Sequence, residues 1–137
     1  MISPALAIQR SIRARLIADP AVTNLVAPDR IVSSSGLPEG PFPCILFDGG
    51  QEVALGEVTR RHFETYTDLH IWCDEPGTAM VREIGGALFG CLVEELTPVP
   101  GIVLHDARFS GAKYLRDPGG RLSHGILTLK CIVETQL

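Results

Sequence analysis

Arg61–Asp74, RHFETYTDLHIWCD, decides how the rest of the chain is read. Its odd positions are Phe63, Thr65, Thr67, Leu69, Ile71 and Cys73. Its even positions are His62, Glu64, Tyr66, Asp68, His70 and Trp72. Alternation sustained this long predicts a strand with one face on a core and the other facing something wetter. At about 3.3 Å per residue it would reach roughly 40 Å, longer than most strands. Tyr66 and Trp72 stand among the charges of the second face, and aromatic-plus-charged surfaces suit wet contacts with other chains. A long edge strand with two half-exposed rings is the plainer reading.

Working outward, the N-terminal side predicts a helix. Ser3 is a natural N-cap and Pro4 suits the first helical position, where its missing N–H costs nothing. Ala5, Ile8, Ile12 and Leu16 recur at helical spacing, with Leu6 and Ile17 widening the stripe. Gln9, Arg10, Arg13 and Arg15 form the remainder, a solvated face or a docking face for acidic neighbours. Asp19-Pro20 stops the helix, and Ala21–Val26 suits a further short turn. A short strand is expected near Ile31-Val32, and Ser33–Pro43 (SSSGLPEGPFP) reads as a loop. Cys44-Ile45-Leu46-Phe47 is an apolar run expected to be covered on both faces. Gln51–Arg60 reads as a polar, mobile connection into the long strand.

On the C-terminal side, Glu75-Pro76-Gly77-Thr78 turns the chain and caps a second helix, with an apolar stripe of Val81, Ile84, Leu88, Cys91 and Leu92. Gly85, Gly86 and Gly90 cost helix propensity, about 1 kcal/mol each, which is tolerable where backbone lies close against a sheet. Thr97-Pro98-Val99-Pro100-Gly101 closes the segment. A strand from Ile102 runs through a bulge near Gly111 to Leu115. A turn follows at Arg116–Arg121, then a last strand over Ser123–Thr135 with Leu127, Leu129, Cys131 and Val133 on one face. The expected fold class is α+β: a mostly antiparallel sheet of four to five strands with two helices packed on one face. Residues 1–137 are read as a single domain.

The totals exclude several function classes. The 137 residues suffice for one core, and 45% apolar with 20% charged is a globular composition. A net charge of −4 lacks the basic stripe of a general nucleic-acid binder, though it suits a protein that surrounds DNA and lets it slide. No apolar run of about 18 residues would span a membrane. The N-terminus lacks the charged-then-apolar order of a secretion signal, so cytosolic folding is expected. Cys44, Cys73, Cys91 and Cys131 include no CxxC pair, and neither disulfides nor metal ligation are expected of them.

Candidate chemistry is thin. His105, Asp106 and Ser110 are the residue types of a hydrolytic triad, but strand neighbours point to opposite faces, so His105 and Asp106 are not expected to pair. No G-x-S-x-G, Walker loop, dinucleotide fingerprint or HExxH occurs. Asp68 and His70 share a face, where a surface pair is far commoner than a metal site. His62 and His124 are read the same way. No catalytic residue, cofactor or metal is expected.

Four segments carry a family likeness in order: SPALAIQRSIRARLIADPAV, FPCILFDGG, YTDLHIWCDEPGTAMVREIGGAL and ARFSGAKYLRDPGGRLSHGILTLKCIVE. The chain resembles the tail-completion (tail-terminator) proteins of long-tailed phages and phage-derived gene transfer agents, most strongly over Tyr66–Leu88 and Tyr114–Glu134. The resemblance implies a non-enzymatic virion protein forming a hexameric ring at the head-proximal end of the tail tube. There it would stop tube growth and join the tail to the head. Implied partners are copies of itself, the major tail tube protein and a head–tail connector or stopper. DNA would pass through without specific binding, and no membrane is involved. The implied location is the bacterial cytoplasm during assembly and then the tail–head junction of the particle. Loops at Gln51–Arg60 and Ser110–Arg121 would reach along the ring axis. On this reading Tyr66, His70 and Trp72 lie at subunit contacts, and Arg60, Arg61, Arg116 and Arg121 contact neighbouring proteins. The alternatives are another neck or minor tail protein, and a small cytosolic enzyme or ligand-binding domain using the His70/Asp68 face.

Overall fold

The computed structural model describes residues 2–33, 38–56, 61–93, 96 and 99–136. Helix α1 (Pro4–Ile17) begins as its sequence requires: the Ser3 hydroxyl accepts from the Leu6 N–H, and Pro4 occupies the first turn. Ala5, Ile8, Ile12 and Leu16 are buried, whereas Leu6 and Ile17 are exposed and do not widen the stripe. Of the arginines on the other face, Arg13 bonds the Ile31 carbonyl at 2.9 Å and so ties α1 to the next strand. A short α2 (Pro20–Thr23), capped by the Asp19 carboxylate, and a 3-10 turn (Pro28–Arg30) lead to β1 (Ile31–Ser33).

Strands β2 (Cys44–Leu55), β3 (His62–Asp74), β4 (Ile102–Arg116) and β5 (Leu122–Thr135) complete a sheet in the order β1-β2-β3-β5-β4. Only β1 and β2 are parallel; the remaining pairs are antiparallel. The fold is α+β with a mostly antiparallel five-stranded sheet, as the alternating pattern implied. Helix α3 (Ala79–Leu92) shares one hydrophobic cluster with α1 and the sheet: Ile8, Ile12, Ile71, Ile84, Leu88 and Leu129 all belong to it.

The alternation of β3 is realised residue by residue. Thr65, Thr67, Leu69, Ile71 and Cys73 are buried under the helices, while Tyr66, Asp68, His70 and Trp72 are half-exposed on the other face. On β5, Leu127, Leu129, Cys131 and Val133 are likewise buried. Burial of the Cys73 and Cys131 thiols pushes both up to about 12, so they behave as small apolar groups. Cys44, Cys73, Cys91 and Cys131 are all buried, and Cys91 Sγ donates to the Arg15 carbonyl. Cys44, Ile45, Leu46 and Phe47 are buried on both sides of β2. Arg30 lies beside Cys44, and its guanidinium donates to the carbonyls of Pro41 and Glu39.

Three expectations need correction. Gln51–Leu55 is not a loop: β2 runs on past an irregularity between Asp48 and Gln51 and pairs with Tyr66–His62. Gly50, at φ 129°, adopts a backbone conformation that L side chains rarely enter, which lets the strand resume. The strand from Ile102 runs to Arg116, within one residue of its expected end, so of the loop expected at Ser110–Arg121 only the turn between Arg116 and Leu122 remains. The close packing attributed to the α3 glycines belongs to Gly85 alone. A Cβ there would sit 2.1 Å from the Tyr114 hydroxyl, whereas one at Gly86 or Gly90 would meet nothing within 4 Å. Thr97 and Pro98, the expected end of that segment, lie outside the described residues.

The cap of α3 is supplied by Glu75 more than by Thr78. Its carboxylate accepts from the Met80 and Val81 N–H groups and from Ser123 Oγ. Burial alone would raise the Glu75 carboxyl, but these bonds outweigh it and hold the group below its ordinary range. The junction between β3 and α3 is thereby fastened to the start of β5.

Candidate functional site: the helix-free face of the sheet

The face opposite the helices is built from the even positions of β3 and β5 with the matching residues of β4. Register places Trp72 beside His124, His70 beside Ile126, Asp68 beside Thr128, Tyr66 beside Lys130, Glu64 beside Ile132 and His62 beside Glu134. Three clusters result, one at each end and one between.

At the end nearest the β4–β5 turn, the Trp72 and His124 rings stack with centroids 3.7 Å apart. His70 extends the row: its Nδ1 lies 2.9 Å from His124 Nε2, and the rings are 5.1 Å apart. One imidazole must donate the proton and the other accept it, so the accepting ring is neutral. Burial, reinforced by His70, pushes His124 down to about 4, against a smaller opposing pull from Asp117. His70 therefore pairs with His124, and Asp68 takes a 2.6 Å bond from Thr128 Oγ1. The Asp68/His70 combination is dispersed between two partners.

In the middle, Lys130 Nζ lies 2.6 Å from Glu64 Oε1, which also accepts from Tyr66 Oη at 2.9 Å. The bond from Lys130, then that from Tyr66, lowers the Glu64 carboxyl; the same contacts raise Lys130 and Tyr66. At the far end, His62 Nε2 stands 3.4 Å from Glu134 Oε1, and His105 Nε2 stands 3.8 Å from Glu134 Oε2.

Val103 pairs with Glu134, so His105, two residues on, faces the same side; the irregularity between Leu104 and Asp106 then brings Asp106, paired with Ile132, to that face as well. Strict alternation does not hold there, so the reason given for keeping His105 and Asp106 apart fails locally. The residues are still divided by their partners. Asp106 pairs with Arg108 at 2.7 Å, His105 lies against Glu134, and Ser110 Oγ donates to the Thr128 carbonyl. A second irregularity, between Phe109 and Gly111, falls next to the predicted bulge.

The predicted contact arginines separate to opposite ends. Arg116 and Arg121 sit at the β4–β5 turn, where Arg116 bonds the Gly120 carbonyl and Arg121 pairs with Asp74 at 3.1 Å. Arg61 is exposed at the other end, where its carbonyl accepts from the Thr135 N–H. Arg60 lies outside the described residues. Sequence reasoning missed a further surface on the helix side. Phe89 of α3, 53% exposed, stacks on Phe109 of β4 at 5.2 Å beside an open cleft of about 540 Å³ bordered by Arg82 and Tyr114. Its only sequence signal was Phe89 falling outside the α3 stripe.

Fold and site together define a class: a two-layer α+β protein with one sheet face packed under helices and the other left open, carrying paired polar and aromatic side chains. The family model described as tail completion protein gp17 matches residues 10–134, and the chain belongs to that family. It is a structural tail protein, not an enzyme. Two solved structures are similar in fold. A chain from the virion of a native gene transfer agent particle is 20% identical with a TM-score of 0.79, over 93% of this chain and 95% of that one. The bacteriophage SPP1 gp17 protein is 17% identical with a TM-score of 0.59, over 96% and 90%. No curated protein sequence matches the chain.

Proposed function

We propose that this single-domain chain forms a hexameric ring at the head-proximal end of the tail tube, ends tube growth and joins the tail to the head connector. Its partners on this reading are its own copies, the major tail tube protein and a connector or stopper protein. It is made in the bacterial cytoplasm and resides in the phage or gene-transfer-agent particle. DNA passes through the ring without specific recognition, in keeping with the net charge of −4.

The observation that carries the reading is the composition of the helix-free face. Tyr66, Trp72, Leu115, Leu122, Ile126 and Ile132 are half-exposed there, interleaved with the Glu64–Lys130 and His62–Glu134 pairs. Large apolar groups among satisfied polar ones are the makeup of wet interfaces between subunits. Tyr66, His70 and Trp72 would be central to such contacts, with Arg61, Arg116 and Arg121 at its two ends. A ring requires a heterologous interface that closes on itself, and the 15-residue edge strand β4 next to this face offers a second, different surface for it.

The test is electron microscopy of particles from a strain lacking the chain. The expected result is tails of abnormal length, or tails detached from filled heads. Particles of normal length and attachment would overturn the reading.

A further inference from the structure

The His62, His105 and Glu134 cluster is more than an end of a polar face. One ligand-type atom from each residue falls within 4.8 Å of the others. Ligands about 2.0–2.2 Å from a tetrahedral zinc ion lie roughly 3.3–3.6 Å from one another. His62 Nε2 lies 3.4 Å from Glu134 Oε1 and His105 Nε2 lies 3.8 Å from the other oxygen, Oε2, so the carboxylate stands between the two imidazoles with one oxygen toward each. The three residues come from three adjacent strands, far apart in sequence. His105 lies at the β4 irregularity, between Val103 opposite Glu134 and Asp106 opposite Ile132, which puts it beside Glu134.

We infer that His62, His105 and Glu134 form a binding site for a zinc-class divalent cation on the helix-free face. Two imidazoles and one carboxylate are the donor set of zinc, cobalt and nickel; calcium and magnesium prefer oxygen alone. The side chains are 34%, 45% and 35% exposed, so an ion can enter from solvent without opening the core. Three protein ligands leave one tetrahedral position, which water fills in the isolated chain. The ion would pin β3, β5 and β4 together at the end of the sheet remote from the Trp72–His124 stack. Its binding needs no covalent step; the imidazoles enter neutral and the carboxylate ionised.

The purified, chelator-treated chain is titrated with Zn²⁺ by calorimetry and with Co²⁺ by visible absorption. One equivalent is expected, with the intense bands of four-coordinate cobalt and a higher Tm on zinc addition. His105→Ala should weaken binding by at least about 100-fold, since even outer partners of metal ligands are worth 10–100-fold. His105 is exposed on an edge strand, so this variant should fold; the near-isosteric Glu134→Gln should lose binding as well. His70→Ala, at the opposite end of the face, should bind as the parent does. Failure of the parent chain to take up stoichiometric metal would overturn the inference and leave the three side chains an ion-paired cluster. So would uptake that survives both ligand variants, including uptake by the buried thiols.

Discussion

Leu69 and His70 are adjacent on β3 and live in different media. Leu69 is fully buried between the strands and helices, beside Ile71, Leu127 and Phe47 in one cluster. His70 is half-exposed and bonds the His124 ring beside it. The helix side of the sheet is held by non-directional burial, at about 25 cal/mol per Å² of apolar surface. The open side is held by pairings that work in one register only: Trp72 on His124, Lys130 on Glu64, His62 on Glu134. Stability and contact are thus divided between two faces of the same strands. A one-residue slip of β3 would exchange them, so the register is fixed from both sides.

The largest test removes one group from each face. Leu69→Ala should destabilise the isolated chain by about 2–5 kcal/mol, the usual range for truncating a fully buried leucine, measured by urea denaturation. Trp72→Ala should cost clearly less in the same measurement but should abolish rescue of particle formation in a strain lacking the chain. If Trp72→Ala destabilised as strongly as Leu69→Ala, the open face would be core in function, and the division of labour would not stand.

A finer test lies on the covered side, in two consecutive glycines. In an exposed helix interior, Gly→Ala gains about 1 kcal/mol from propensity alone. Gly86 is exposed with open space around it, so Gly86→Ala should raise stability by about that amount. Gly85 is buried, and a methyl group there would lie 2.1 Å from the Tyr114 hydroxyl and 2.9 Å from two ring carbons. Tyr114 is itself pressed between α3 and Gly125, where a Cβ would stand 3.2 Å from the ring. Gly85→Ala should therefore destabilise by about 1–3 kcal/mol, as overpacking does. Thermal unfolding of the two variants checks it: opposite signs are expected. Equal signs would mean that the Tyr114 ring moves freely and that the contact does not constrain α3.

The glycine pair also marks the limit of what could be read from sequence. The centres of both helix stripes, the Ser3 cap and the alternation of β3 and β5 follow local periodicity, and the structure reproduces them, leaving only Leu6 and Ile17 at the margin of the α1 stripe exposed. Packing against a sheet was expected of all the α3 glycines, but only Gly85 meets a side chain, because Tyr114 arrives from a strand with no local signal in α3. The extension of β2 was hidden for a related reason. Asp48-Gly49-Gly50 has the composition of a turn, yet here it is an irregularity within a ladder, sustained by pairing with β3. On the open face, the character of Tyr66, His70 and Trp72 was legible from alternation. Their partners were not, because His124 and Lys130 become neighbours only through strand order. The His62–His105–Glu134 cluster was still less accessible, since its three members meet only through the strand order β3-β5-β4.

The smallest effect at neutral pH, and the one most particular to the open face, is a pH dependence. His124 is held down to about 4 by burial and by His70, from an ordinary value of 6.5. Above pH 6.5 the ring is neutral in both folded and unfolded chains, and its contribution to stability is constant. As pH falls from 6.5 towards 4, the unfolded chain takes up this proton and the folded chain does not. By linkage the unfolded state then gains and stability falls; below about 4 both states are protonated and this loss levels off. Glu75 and the other carboxylates also lose stability in acid, so the useful quantity is a difference. His124→Gln keeps a polar ring-sized neighbour for Trp72 but removes the titration. Subtracting its urea-midpoint profile from that of the parent should leave a slope confined to pH 4–6.5. A flat difference would mean that the Trp72–His124–His70 row accepts a proton without cost. The open face would then be held less rigidly than its 2.9 Å imidazole contact implies, and the contrast with the covered face would be sharper still.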